Sequence, residues 1–96
     1  MAERTSRFKD VEGVISPDDA RAVLSVLCVK YGFCLPRLWH ARLIKNPPAS
    51  VAKFTDTVIR AESLDPSTVE TALYKAMRAE VQKAFERSAR NEMASR

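Results

Sequence analysis

The sequence lacks the features that mark a membrane-spanning, secreted or disordered chain. Only 2 of its 96 residues are glycine, and no apolar run approaches the roughly 18 to 20 residues needed to cross a bilayer. The first ten residues, MAERTSRFKD, lack the apolar stretch of a signal peptide. Because 46% of the residues are apolar, the composition also argues against disorder throughout. We therefore expect a soluble, cytoplasmic protein with no membrane partner.

Metal-ligating and nucleophilic side chains are equally scarce. Cys28, Cys34 and the single histidine, His40, are spaced six residues apart, whereas zinc sites use ligand pairs roughly two to five residues apart. Without an export signal, both cysteines are expected to be reduced. Cys34 precedes a predicted helix N-terminus, which favours a thiolate, so a nucleophilic pair with His40 is an alternative. We predict neither a metal nor a cofactor.

The carboxylates and glycines form no catalytic pattern either. Asp18 and Asp19 suit a helix N-terminus, and Asp56 and Glu62 suit surface ion pairs. Neither glycine lies in a phosphate-binding G-x-G or GK[ST] context. We therefore predict that the protein is not an enzyme, with an acid-base or thiol enzyme as the least supported alternative.

Local start and stop signals divide the chain into four helices. Ser16, followed by proline, marks the start of the first helix, and Gly32 marks its end because glycine readily adopts the left-handed conformation. Pro36 opens the second helix, NPPAS separates it from the third, and Asp65 caps the fourth. The predicted helices span residues 17–31, 36–45, 50–62 and 66–90.

This pattern predicts an all-α fold, a small four-helix domain with short proline-containing connections. Residues 1–14 are expected to form a flexible arm, with an edge strand over FKDVEGVI as an alternative, and residues 15–96 a single domain with frayed final residues. Ser50 or Asn46 caps the third helix. Helical spacing predicts a core of Val23, Leu24, Leu27, Leu38, Trp39, Leu43, Phe54, Val58, Leu73, Met77, Val81 and Phe85.

Positive charge concentrates around the second helix. The chain carries 16 Lys and Arg against 12 Asp and Glu, a net charge of +4, and most of the excess lies in residues 17–45. The spacing places a basic face, with one apolar residue, opposite the side chains predicted to point inward. The residues of this candidate binding face are Arg37, His40, Arg42, Ile44 and Lys45.

These observations favour a small non-enzymatic helical module that acts through protein contacts. The first helix is apolar nearly all round, because Ala22, Val26 and Val29 lie opposite its inner face. Self-association through the first or fourth helix is therefore expected to give a homodimer. The alternative is a nucleic-acid-binding regulator that uses the basic face of the second helix, although the third helix offers no Asn or Gln for reading base edges.

Overall fold

The chain folds into four α-helices joined by short connections, which confirms the predicted all-α class. The computed structural model describes residues 12–94, and the side chains of residues 12–91. α4 packs against α1 and α3, and α2 packs against α1. The helices are α1 (Pro17–Tyr31), α2 (Arg37–Lys45), α3 (Val51–Ala61) and α4 (Thr71–Ala94), with a 3-10 turn over Pro66–Thr68 ahead of α4.

Both ends of α1 are set by local hydrogen bonds and confirm the prediction. The Ser16 hydroxyl accepts the backbone N–H of Asp19 at 3.1 Å, as an N-cap does. Gly32 follows the last turn with φ of 78°, and its N–H donates to the carbonyl of Cys28 at 3.0 Å. The N–H of Phe33 donates to the carbonyl of Leu27 at 3.0 Å, and the Phe33 ring is buried. The bond from the Gly32 N–H to the carbonyl four residues back is that of the αL capping motif, which needs a left-handed residue.

The start of α4 differs from the prediction. Asp65 caps the 3-10 turn instead, because its carboxylate accepts the N–H and the hydroxyl of Ser67, each at 2.9 Å. The Thr68 hydroxyl donates to the Asp65 carbonyl at 2.8 Å. Such short polar side chains compete with helical hydrogen bonding, so Val69 stays extended and α4 begins at Thr71. At its other end α4 continues to residue 94, four residues beyond the predicted 90.

The core lies between α1, α3 and α4, with one anchor from α2. Leu27, Phe54, Met77 and Val81 are fully buried, and the Phe54 ring meets the Phe85 ring edge to face at 6.0 Å between centroids. The predicted core is confirmed except at three positions, since Leu73 is partly buried and Leu38 and Trp39 are exposed. Residues buried in addition to the prediction include Ile15, Val51, Thr55, Ile59 and Ala84.

One buried polar cluster ties the N-terminus of α1 to α4. The Asp19 carboxylate accepts the Ser88 hydroxyl at 2.6 Å, the Ser16 hydroxyl at 3.1 Å and the Arg87 guanidinium at 3.4 Å. Burial alone would raise the pKa of the Asp19 carboxyl. The hydrogen bonds from Ser88, Ser16 and Arg87, together with the Arg87 charge, outweigh burial and lower this pKa below its ordinary value. Asp19 is therefore a long-range anchor as well as a first-turn acidic residue.

The segment before α1 is held against the connection before α3. Gly13 donates its N–H to the carbonyl of Ala49 at 2.9 Å, and Glu12 forms an isolated antiparallel bridge with Ser50. Residues 12–15 thus make one bridge, and the first half of the strand considered as an alternative, residues 8–11 of FKDVEGVI, lies outside the described residues. Of the arm predicted over residues 1–14, residues 1–11 lie outside the described part of the chain.

Among residues 12–94, no helix combines the length and apolar content that crossing a bilayer requires.

Candidate binding surface

The rotation of α2 about its axis differs from the prediction. Leu43 is buried and Ile44 packs partly buried against the core, whereas Leu38 is 63% and Trp39 is 36% exposed. Ile44 therefore leaves the predicted binding face. The cause lies in the pattern itself, because the four large apolar side chains of this nine-residue helix are spread around most of its circumference. No rotation buries all four, and tertiary packing selects Leu43 and Ile44.

The basic residues predicted for α2 differ in their exposure. Arg37, Arg42 and Lys45 are exposed, and His40 is half-buried. Arg37 and Lys45 are eight positions apart, so Arg37, Arg42 and Lys45 lie within about 12 Å of one another along the helix axis. Helical spacing puts Leu38 among them. We call Arg37, Leu38, Trp39, Arg42 and Lys45 the α2 surface.

Trp39 and Arg42 form the most organised part of the α2 surface. The Arg42 guanidinium carbon lies 5.5 Å from the centre of the Trp39 ring, a cation–π arrangement. Beside this pair an open groove of about 280 Å³ lies between α2, the connection to α3, and α3 itself. It is lined by Trp39, Arg42, Leu43, Asn46, Pro48 and Thr57.

The sequence around the α2 surface contains no acidic residue. Between Asp19 and Asp56 there are six Lys and Arg side chains and neither Asp nor Glu. Two of the six have acidic partners elsewhere, because Arg21 pairs with Asp18 at 3.2 Å and Lys30 with Glu80 at 3.1 Å. The α2 surface thus combines exposed apolar area with charge of a single sign.

The expectation of reduced cysteines is wrong for this structure, because Cys28 and Cys34 form a disulfide. Their Cα atoms lie 4.3 Å apart, since the left-handed turn at Gly32 folds the chain back after α1. With its sulfur bonded to Cys28, Cys34 has no thiol to pair with His40. Sequence spacing did not indicate this bond, because it depends on the turn between the two residues. The disulfide holds the segment leading into α2 against the last turn of α1.

Other polar side chains pair with one another in the part of the chain that is described. Asp56, predicted for surface ion pairing, accepts the Tyr74 hydroxyl at 2.9 Å beside an open groove of about 320 Å³. Glu80 pairs with Lys30 at 3.1 Å, which joins α1 to α4, and with Lys83 of its own helix at 4.0 Å. No three His, Cys, Asp or Glu side chains of residues 12–91 come together as a metal site would need.

The two helices predicted for self-association differ in what they leave exposed. On α4, Met77, Val81 and Phe85 are covered by the chain's own helices, so this stripe is not available to a second copy. On α1, Val29 is 81% exposed and Val26 half-buried. Self-association would therefore have to use α1 rather than the apolar stripe of α4.

The chain matches no protein-family model, no curated protein and no solved structure.

Proposed function

We propose that this protein is a small non-enzymatic helical module that binds another protein through the α2 surface. The observation that carries this proposal is the exposure of Leu38, at 63%, beside the exposed Trp39. An exposed leucine one turn before Arg42, and an exposed tryptophan that lines a groove, are the composition of an interaction site, where aromatic and arginine residues dominate binding. The helices beneath supply a rigid support.

A selection from a library of random peptides tests this function. Binders are selected on the intact protein and then measured on Leu38→Ser and on the double variant Leu38→Ser, Trp39→Ser. We expect both variants to weaken binding, while Val14→Ser, which changes an exposed apolar residue outside the α2 surface, leaves it unchanged. The single variant at the more exposed Leu38 keeps the test valid if loss of Trp39 disturbs folding. Absence of binders, or binders indifferent to Leu38, would overturn the proposal.

Nucleic-acid binding is the second candidate, favoured by the absence of acidic residues between Asp19 and Asp56. A phosphate backbone would be contacted by Arg37, Arg42 and Lys45. Light scattering on a size-exclusion column, with and without random-sequence duplex DNA at low and moderate salt, separates the two. A salt-sensitive shift with DNA would reverse the ranking.

The same column measures self-association, which stays a prediction. The exposed face of α1 centres on Val29 and includes only small or half-buried neighbours, Ala22 and Val26. A stable dimer buries about 800 Å² on each partner, so these side chains alone form a small contact. We expect any dimer to be lost in Val29→Glu.

Location in the cytoplasm also stays a prediction, and a persistent Cys28–Cys34 disulfide in cell extracts would argue against it.

A further inference from the structure

The groove beside Trp39 has one apolar wall and one cationic edge. Leu43 and Pro48 contribute to its lining, and Arg42 stands at its edge over the Trp39 ring. The volume of about 280 Å³ is of the order needed for one large apolar side chain with room to spare. A ligand that fills the groove therefore places its adjoining residues against Arg42.

The cation–π contact prepares Arg42 for a carboxylate. Holding the guanidinium over the ring restricts an otherwise mobile side chain, so less entropy is lost when a partner binds. A guanidinium presents paired donors that match the two oxygens of a carboxylate. Lys45 lies about one turn after Arg42 and adds positive charge on the same exposed side of α2, whereas helical spacing places Arg37 about 140° around the axis from Arg42. The recognition chemistry is therefore an acidic group next to an apolar one.

We propose that the α2 surface binds an acidic amphipathic segment of another protein, with one large apolar side chain in the groove and flanking Asp or Glu side chains on Arg42 and Lys45. This inference rests on the proposed function and names the class of partner. A second copy bound symmetrically through α2 is disfavoured, because it would bring two sets of like charges together. A duplex is the other polyanion, but phosphates give no reason for an exposed Leu38 beside the cations.

The sequences of the selected peptides provide the first test. We expect peptides that depend on Leu38 to combine a large apolar residue with Asp or Glu within one helical turn. For the best such peptide, replacing its acidic residues by Gln is expected to weaken binding about tenfold, as the loss of two charge pairs at an interface rim would. Trp39 is the only tryptophan, so its fluorescence reports occupancy of the groove directly.

Charge reversal on the protein gives the matched control. The double variant Arg42→Glu, Lys45→Glu should lose the acidic peptide and gain affinity for the same peptide with Lys at its acidic positions. The variant Arg21→Glu, Arg90→Glu changes net charge equally on α1 and α4 and should keep the original preference. Circular dichroism confirms that both variants are folded.

The outcomes distinguish failure of the acidic-partner inference from failure of the proposed protein-binding function. Peptides that require Leu38 but carry no excess of acidic residues, or that still bind after Arg42 and Lys45 are reversed, would overturn the acidic partner and leave the protein-binding function standing. A selection without binders, with a DNA-induced shift abolished by the same reversal, would overturn both.

Discussion

The clearest energetic test of the fold is the substitution Asp19→Asn. Asn keeps the shape of the side chain but removes the charge that accepts hydrogen bonds from Ser88, at 2.6 Å, and Arg87, at 3.4 Å. Hydrogen bonds to a charged group contribute about 1.5 to 3 kcal/mol each, and the amide of Asn retains part of them by pairing with the serine hydroxyls. We expect the free energy of unfolding to fall by about 2 kcal/mol near neutral pH.

The stability lost in Asp19→Asn is expected to depend on pH. The hydrogen bonds and the Arg87 charge hold the pKa of Asp19 below its ordinary value, so the folded state binds this proton less tightly than the unfolded chain does. The stabilisation is fully present above the unfolded-state pKa of about 3.9 and disappears as pH falls through the lower folded-state pKa. The difference between wild type and Asp19→Asn should therefore be largest near neutral pH and shrink in strong acid.

Urea unfolding followed by far-UV circular dichroism, at neutral pH and again in strong acid, measures both quantities. Asp18→Asn is the matched control, because Asp18 shares the first turn of α1 but its side chain is 95% exposed and, among the described residues, pairs only with an exposed Arg21. That control should cost about 0.5 to 1 kcal/mol, the range of a surface pair plus a helix-dipole contribution. Equal losses for the two variants, or a loss at Asp19 that does not change with pH, would refute the role given to the buried carboxylate.

Three further variants test the core, the disulfide and the α2 surface by chemical denaturation. Phe54→Ala should lower the free energy of unfolding by about 3 to 5 kcal/mol because the ring is fully buried, and a loss under about 1 kcal/mol would contradict the core. Replacing Cys28 and Cys34 by Ser should cost about 2 kcal/mol, the chain-entropy value for so short a loop, and a reductant that leaves wild-type unfolding unchanged would count against the disulfide. Trp39→Ala should cost only about 1 to 2 kcal/mol, because the ring is 36% exposed and partly covered by Arg42; a loss above about 3 kcal/mol would place the ring in the core.

The candidate site was predictable in position but not in composition. The sequence places the cations Arg37, Arg42 and Lys45 on the second helix, and all three are exposed. It does not place Leu38 and Trp39 with them, since four apolar positions surround a short helix and no periodicity selects the inner side. The stacking of Arg42 on Trp39 has a local signal, their separation of three residues, which brings side chains together on any helix.

The sequence by itself determined the features that depend on contacts between residues within about four positions of one another. The ends of α1, the cap at Ser50 and the turn at Gly32 depend on hydrogen bonds along a short stretch of chain, so residue type is enough to predict them. Tertiary structure decided the rotation of α2 and the contact of Asp19 with Ser88, 69 residues away. Burial is a property of what the rest of the chain brings to a side chain, and no local pattern carries that information.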